Sequence, residues 1–278
     1  MLYIVGTPIG NLSDISFRAK EILQSVDVVA CEDTRRTGLL LAALDIHKRL
    51  ISYHEHNRSS KESLLISLMK DGQNLALVSD AGMPCISDPG EELVRLCIEN
   101  DIPVSVIPGP VAAISALVLS GLDTRHFVFE GFLPSEGKDR KTRIAALKHN
   151  RYTFILYEAP HRLIRTLKDL AEAGFSDRKA AFSRELTKKF EETVRSTISE
   201  AIEYFEDNQP RGEFVVVVEG EPEPDRLPAD ELSEDICERK IREMLAEGLT
   251  TKEISTLLSK EWGISKKSVY SMVIKMIN

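Results

Sequence analysis

The chain has 278 residues, 42% of them hydrophobic, and a formal net charge of −8. That is enough apolar material for one large core or two modest ones, and ordinary domain sizes favour two. The charge excludes a chain coated in positive potential. No run reaches the roughly 18 consecutive apolar residues of a membrane helix, and the start, MLYIVGTPIGNL, lacks a signal peptide's basic flank, so a cytoplasmic protein without a membrane partner is expected.

In chain order, short Val- and Ile-rich runs alternate with amphipathic stretches, the pattern of strands and helices taking turns around a largely parallel sheet. The first set predicts strands over residues 2–6, 26–31, 75–79 and 103–107, and helices over 15–24, 37–44, 61–70, 91–100 and 111–120. A second set predicts strands near 127–131, 152–158, 179–185 and 213–220, with helices over 140–148, 161–173 and 199–206. The connector FLPSEGKDR, carrying Pro134 and Gly137, is expected to separate the two sets as a hinge. The expected fold class is therefore α/β: an N-terminal domain over residues 1–122, and a second over 123–224 that completes a cleft between them.

After EGEPEPDRLP, whose three prolines among acidic residues read as a linker, helices are predicted over 231–246, 251–261 and 266–277. They make a small C-terminal helical domain over residues 229–278, its last two helices joined by WGIS in helix-turn-helix spacing. Lys266, Lys267 and Lys275 suit a helix facing nucleic acid; a plain interaction or dimerisation module fits the pattern equally.

Three loops follow predicted strands, where open α/β sheets hold ligands. GTPIGNL lets backbone approach a ligand, yet Gly6 and Gly10 make neither a GxGxxG fingerprint nor a GxxxxGKS phosphate loop, which disfavours nicotinamide cofactors and nucleoside triphosphates. SDAGMPCISDPG, residues 79–90, is too rich in proline and glycine for regular structure; in it Asp80 either stabilises a cation or holds a turn, and Asp88 is placed to cap the helix beginning near Glu91. IPGPVAAIS puts Pro110 near a first helical position, with small Ala112, Ala113 and Ser115 behind it, which either leave room for a ligand or permit close helix-to-sheet packing. Cys31, Cys85, Cys97 and Cys237 form no CxxC pair, and HEH at 54–56 lacks an obvious third ligand, so reduced thiols and no metal are expected.

Taken in order, these loops resemble those of the tetrapyrrole-methylase superfamily. The longer set GTPIGNLSDIS, CEDTRRTGLLL, SDAGMPCISDPG, IPGPVA, GFLP, YEAPHR, SREL, FEE and GEFVVVVEG is similar to the group that methylates the 2'-hydroxyl of a cytidine in 16S ribosomal RNA of the small ribosomal subunit. The resemblance spans residues 1 to about 220, and departs from the group's usual DAGTP at Met83, which alters one hydrogen bond near the cofactor. It implies S-adenosyl-L-methionine as cofactor and a homodimer. It also implies cofactor contacts at Pro8, Asp80, Ala81, Gly82, Met83, Pro84, Ile86, Ser87, Phe132, Leu133, Tyr157, Leu186, Gly212, Glu213 and Phe214.

A ribose hydroxyl is a poor nucleophile at neutral pH, so a base or cation should help it. Glu158 and Glu185, charged residues after apolar strands, are candidates; each either takes a proton or pairs with an arginine such as Arg162 or Arg184. Lys188 either steadies an oxyanion or phosphate or is solvated, and His54, His56 and His161 are further possible bases. Residues 136–165 hold eight Lys or Arg against three acids, an excess that the resemblance directs at RNA phosphates and that otherwise is a solvated helix face. Two rivals stand beside this reading: a methylase of the same fold acting on a porphyrin-like small molecule, and a non-catalytic nucleic-acid-binding regulator.

Overall fold

The computed structural model describes residues 1–221, 234–262 and 264–277. They fall into two compact units, Met1–Gly220 and Glu221–Asn278.

The first unit opens with β1 (Leu2–Val5), α1 (Phe17–Ser25), β2 (Val28–Cys31), α2 (Thr34–Ala43), β3 (Arg49–Ser52), α3 (Arg58–Lys70), β4 (Leu75–Val78), α4 (Glu91–Glu99), β5 (Val104–Ile107) and α5 (Ala112–Ser120). The five strands form one parallel sheet in the order β3-β2-β4-β1-β5. Side chains alternate across it. Leu2, Ile4, Ala30, Leu75 and Leu77 pack with Leu65, Met69 and Leu93 on one face, and Val5, Val29, Cys31, Ala76 and Val78 with Ala19, Leu23 and Leu41 on the other. A sheet covered on both faces needs apolar residues at every position, which is why its central strands read as unbroken apolar runs. Ser16 caps α1 by accepting from the Ala19 amide, and Asp33 caps α2 through the Arg35 amide.

The second half carries β6 (Phe127–Phe132), α6 (Gly137–Lys148), β7 (Thr153–Glu158), α7 (Pro160–Leu170), β8 (Lys179–Arg184), β9 (Glu192–Thr197), α8 (Ile198–Asp207) and β10 (Phe214–Val218). Its sheet runs β6-β7-β10-β8-β9. Only the β6–β7 pair is parallel; the other three pairs are antiparallel. The expectation of a largely parallel arrangement thus holds for the first sheet alone, because an apolar run carries no information about strand direction.

Helix α5 joins the halves: Ala113, Ala116 and Leu117 pack against Ile155, Ala181, Val215 and Val217 of the second sheet. Of the small residues after Pro110, Ala113 therefore serves close helix-to-sheet packing, with Val111 as the N-cap of α5.

Two further expectations are corrected. FLPSEGKDR is not the connector between the halves: Phe132 ends β6, Gly137 begins α6, and the chain passes from one sheet to the other over residues 121–126, where Gly121 (φ 75°) closes α5 in the left-handed conformation. The helix expected over 161–173 ends at Leu170, since the wider turn at Ala171–Phe175 needs Gly174 at φ 94°.

In the second unit, α9 (Glu234–Ala246), α10 (Thr251–Trp262) and α11 (Lys266–Ile277) enclose Cys237, Ile241, Ile254, Leu258, Trp262, Val269 and Val273. Lys266, Lys267 and Lys275 are exposed. Most of the expected linker, the start of the helix expected from residue 231, and Gly263 of WGIS lie outside the described residues. Each unit has its own buried cluster. A chain ending at residue 220 is therefore expected to fold with an unchanged melting temperature for that unit, measured by calorimetry beside the full chain; a loss of the transition would contradict this.

Candidate functional site

Three loops at the carboxyl ends of β1, β4 and β5 are held together by main chain. The Thr7 amide donates to the Gly82 carbonyl at 2.9 Å and the Gly82 amide to the Thr7 carbonyl at 3.1 Å, so the first loop and the 79–90 loop form a short antiparallel bridge. Gly6 and Gly109 meet directly: a Cβ on Gly6 would stand 2.7 Å from the Gly109 Cα, and one on Gly109 would stand 2.8 Å from the Gly6 Cα. Only glycine permits that approach. Gly10 is equally tight against the second half, its missing Cβ overlapping Lys188 Cγ and the Leu186 carbonyl.

Backbone strain gathers in the same place. Cys85 (φ 70°) and Ser87 (φ 61°) in the 79–90 loop, and Glu185 (φ 51°) and Thr187 (φ 65°) after β8, are non-glycine residues in the left-handed region. Such conformations cost of order 1–3 kcal/mol each and persist where the surroundings fix them.

Between these loops and the ends of β7, β8 and β10 lies a cleft of about 780 Å³. Of the expected cofactor contacts, Pro8, Asp80, Ala81, Gly82, Met83, Ile86, Ser87, Phe132, Tyr157, Leu186, Gly212, Glu213 and Phe214 line it. Pro84 and Leu133 do not. Pro84 is buried in its loop, and Leu133 points into the second core while its carbonyl accepts from Arg162 Nη2 at 2.8 Å. The cleft also takes in Ile9 and Gly10 of the first loop and Ala112, as their loops led one to expect, and residues that the sequence did not single out for it: Glu32, Arg36, Asp88, Val111, Ser183, Arg184 and Val215. Glu32 and Arg36 lie in the quoted string CEDTRRTGLLL, whose acidic and basic mixture was the available signal.

The candidate catalytic side chains all reach the cleft wall, each with partners. Glu158 is buried; its Oε1 accepts from the Ala159 amide at 2.9 Å and faces Arg162 Nε at 3.3 Å, while Oε2 accepts from the Thr166 hydroxyl at 2.6 Å. Glu185 pairs with Lys188 at 2.9 Å, and Arg184 pairs with Glu192 instead of with Glu185. Asp80 ties two elements together, accepting from the Asp33 amide at 3.0 Å and facing Arg36 at 3.3 Å. His54, His56 and His161 are absent from the cleft wall.

Asp88 is not the cap of α4. Gly90 (φ 139°) occupies that position without a side-chain bond, and Asp88 lines the cleft instead. Burial, then the charges of Glu32, Asp80 and Glu213, push its carboxyl up to about 6 against the hydrogen bond from Ser79. Burial raises Glu32 and the Tyr157 hydroxyl in the same direction. A second cavity of about 560 Å³ adjoins the cleft; Glu32, Ser87 and Asp88 line both.

The basic excess at 136–165 is partly consumed inside the fold. Arg140 is buried, donating to Asp169, Thr166 and the Pro134 carbonyl; Arg143 pairs with Glu130, and Arg162 with Glu158. Lys138, Lys141, Arg151 and Arg165 are exposed.

A family model described as Tetrapyrrole (Corrin/Porphyrin) Methylases matches residues 1–202. The ribosomal RNA small subunit methyltransferase I of Synechocystis sp. is 45% identical over 276 residues, covering 99% of this chain and 98% of that protein. The protein of the same name from Thermotoga maritima is 46% identical over 219 residues, 79% of this chain but 98% of its own length. Among solved structures, uroporphyrin-III C-methyltransferase from Thermus thermophilus, complexed with S-adenosylhomocysteine, superposes with a TM-score of 0.56 over 78% of this chain and 96% of that chain. At 19% identity that likeness speaks to the fold.

Proposed function

The chain belongs to the tetrapyrrole (corrin/porphyrin) methylase family, and from that premise we propose that it transfers a methyl group from S-adenosylmethionine to the 2'-hydroxyl of a cytidine in 16S ribosomal RNA. The observation that carries the reading is the chemistry of the cleft. Ile86, Val111, Phe132 and Tyr157 offer apolar surface for an adenine ring, while Glu32, Asp80, Asp88 and Glu213 supply negative charge that suits a sulfonium. Bound there, the cofactor supplies an electrophilic methyl group on that sulfonium. The protein's task is to align an oxygen nucleophile with it and exclude competing water, work that rigid loops perform by fixing positions in advance.

RNA as the acceptor is supported by the near-full-length relatives named for ribosomal RNA and by exposed Lys138, Lys141, Arg151 and Arg165, to which phosphates would dock. The target ribose must come from an unstacked nucleotide, since a packed helix cannot enter a cleft. The same reading makes the protein a cytoplasmic homodimer.

Purified small subunits lacking the modification, incubated with enzyme and methyl-labelled S-adenosylmethionine and then digested to nucleosides, are expected to yield a single labelled 2'-O-methylcytidine by mass spectrometry. Absence of label on subunits and on free ribosomal RNA, from protein that binds the cofactor, would remove the RNA assignment and favour a porphyrin-like acceptor.

A further inference from the structure

The carboxylates on the cleft wall differ in what holds them. Glu158 is spent on Ala159, Thr166 and Arg162, Asp80 on Asp33 and Arg36, and Glu185 on Lys188. Asp88, Glu32 and Glu213 have no ion pair within 4 Å among the described residues, and of these Asp88 and Glu32 line both the cleft and the second cavity. Their surroundings separate them. The charged neighbours of Glu32 are Asp80, His54, Arg36 and Asp33, all on the first-sheet side. Asp88 also faces Glu213 and the Tyr157 hydroxyl, which belong to the opposite wall.

The second cavity, lined by Tyr53, Arg58, Cys85 and Glu91 among others, has the size of an ordinary small-ligand pocket and shares Glu32, Ser87 and Asp88 with the cleft as lining residues. We infer that this cavity receives the acceptor nucleoside extruded from the RNA, and that Asp88, on the wall common to the two cavities, takes the proton of its 2'-hydroxyl. The inference rests on the proposed function. In the step, the bond from the 2'-oxygen to the methyl carbon forms and the carbon–sulfur bond breaks with its electron pair left on sulfur. The hydroxyl proton passes to an Asp88 carboxylate oxygen and leaves to water after release.

An ordinary carboxylate is a weak base for this step; one raised to about 6 by burial and by its acidic neighbours is closer to the working pH while still ionised at 7. The groups facing Asp88 are Glu32, Asp80, Glu213, Cys85, Tyr157 and Ser79, with Glu91 and the cation Arg58 also lining the second cavity. Because the ionised form acts, activity is full above the carboxyl pKa and falls as pH drops through it. A bound sulfonium moves that pKa down.

The test uses the full chain as wild type, Asp88→Asn, Asp88→Glu and Glu32→Gln, in single turnovers on unmodified small subunits at saturating S-adenosylmethionine between pH 5 and 9. Asp88→Asn is expected to slow transfer by about 10²–10⁴-fold and to lose the acidic limb of the pH profile. Asp88→Glu should recover part of the rate. Calorimetry should give S-adenosylhomocysteine, which lacks the sulfonium charge, an affinity within about threefold of wild type for Asp88→Asn, the margin corresponding to well under the 1.4 kcal/mol of a tenfold change. A readout free of turnover is ¹³C NMR of aspartate carboxyls in the enzyme alone, where a titration near 6 should vanish in Asp88→Asn.

An Asp88→Asn enzyme that keeps the wild-type rate or the acidic limb overturns the inference, as does transfer of that limb to Glu32→Gln. If Asp88→Asn fails to fold, the absence of a carboxyl titrating near 6 in the cofactor-free wild type does the same. Failure of the wild type to label RNA at all is a different result: it removes the proposed function, and this inference with it.

Discussion

Gly6→Ala and Gly109→Ala are each expected to weaken cofactor binding by ~10-fold or more, about 1.4 kcal/mol, with a fall in global stability of about 1–3 kcal/mol from overpacking. The new methyl on Gly6 would lie 2.7 Å from one backbone atom and 2.6 Å from Met83 Sδ. The methionine end can swing away, but the Gly109 backbone cannot, because β5 and α5 anchor it on either side. The first loop must then lift, and its bridge to Gly82 carries the 79–90 loop with it. Gly38→Ala is the control: the position lies inside α2 with nothing nearer than 3.9 Å, and alanine there should stabilise by about 0.5–1 kcal/mol. Chemical denaturation with calorimetric titration of S-adenosylmethionine measures both effects. Affinity within twofold of wild type in Gly6→Ala would show that the loops yield without consequence.

Arg140→Ala should destabilise the first unit clearly, costing about 1–3 kcal/mol. The guanidinium is 3% exposed and fills three acceptors: Asp169 Oδ2 at 2.7 Å, Thr166 Oγ1 at 2.8 Å and the Pro134 carbonyl at 3.0 Å. The same threonine donates onward to Glu158 at 2.6 Å, so the arginine sets a chain of bonds that fixes a cleft-wall carboxylate. Removing it takes a donor from the buried Thr166 hydroxyl and from the Pro134 carbonyl and leaves the half-buried Asp169 carboxylate to water. Joint replacement of exposed Lys138, Lys141, Arg151 and Arg165 by alanine should do the reverse: leave the melting temperature nearly unchanged while weakening RNA binding and flattening its salt dependence. If Arg140→Ala melted normally and only RNA affinity fell, the assignment of Arg140 to the fold would be wrong.

Arg140 also shows where sequence reading stops. In a segment with eight basic residues nothing local separates it from Lys141, because its burial is decided by Asp169 and Thr166, more than twenty positions away. The central strands were legible since burial on both faces demands the apolar runs at 28–31 and 75–78. Strands β3 and β9 escaped notice because they lie at sheet edges, where RLIS and ETVRST need only partial burial. The loops that build the cleft announced themselves through glycine and proline, and thirteen of the fifteen expected cofactor contacts line it. Asp88 did not: an aspartate shortly before a helix looks like a cap, and only the φ of 139° at Gly90 shows that the chain turns once more before the helix begins.

The crossing of Gly6 and Gly109 has a consequence for how such a protein can be interrogated. The loops touch one another through peptide backbone, whose amides and carbonyls are the same whatever side chain the residue carries. Truncating side chains one at a time would pass over these contacts. The informative library adds atoms: a methyl at each glycine, or a ring at each free amide. The positions where two backbones touch are those at which the loops admit no added atom.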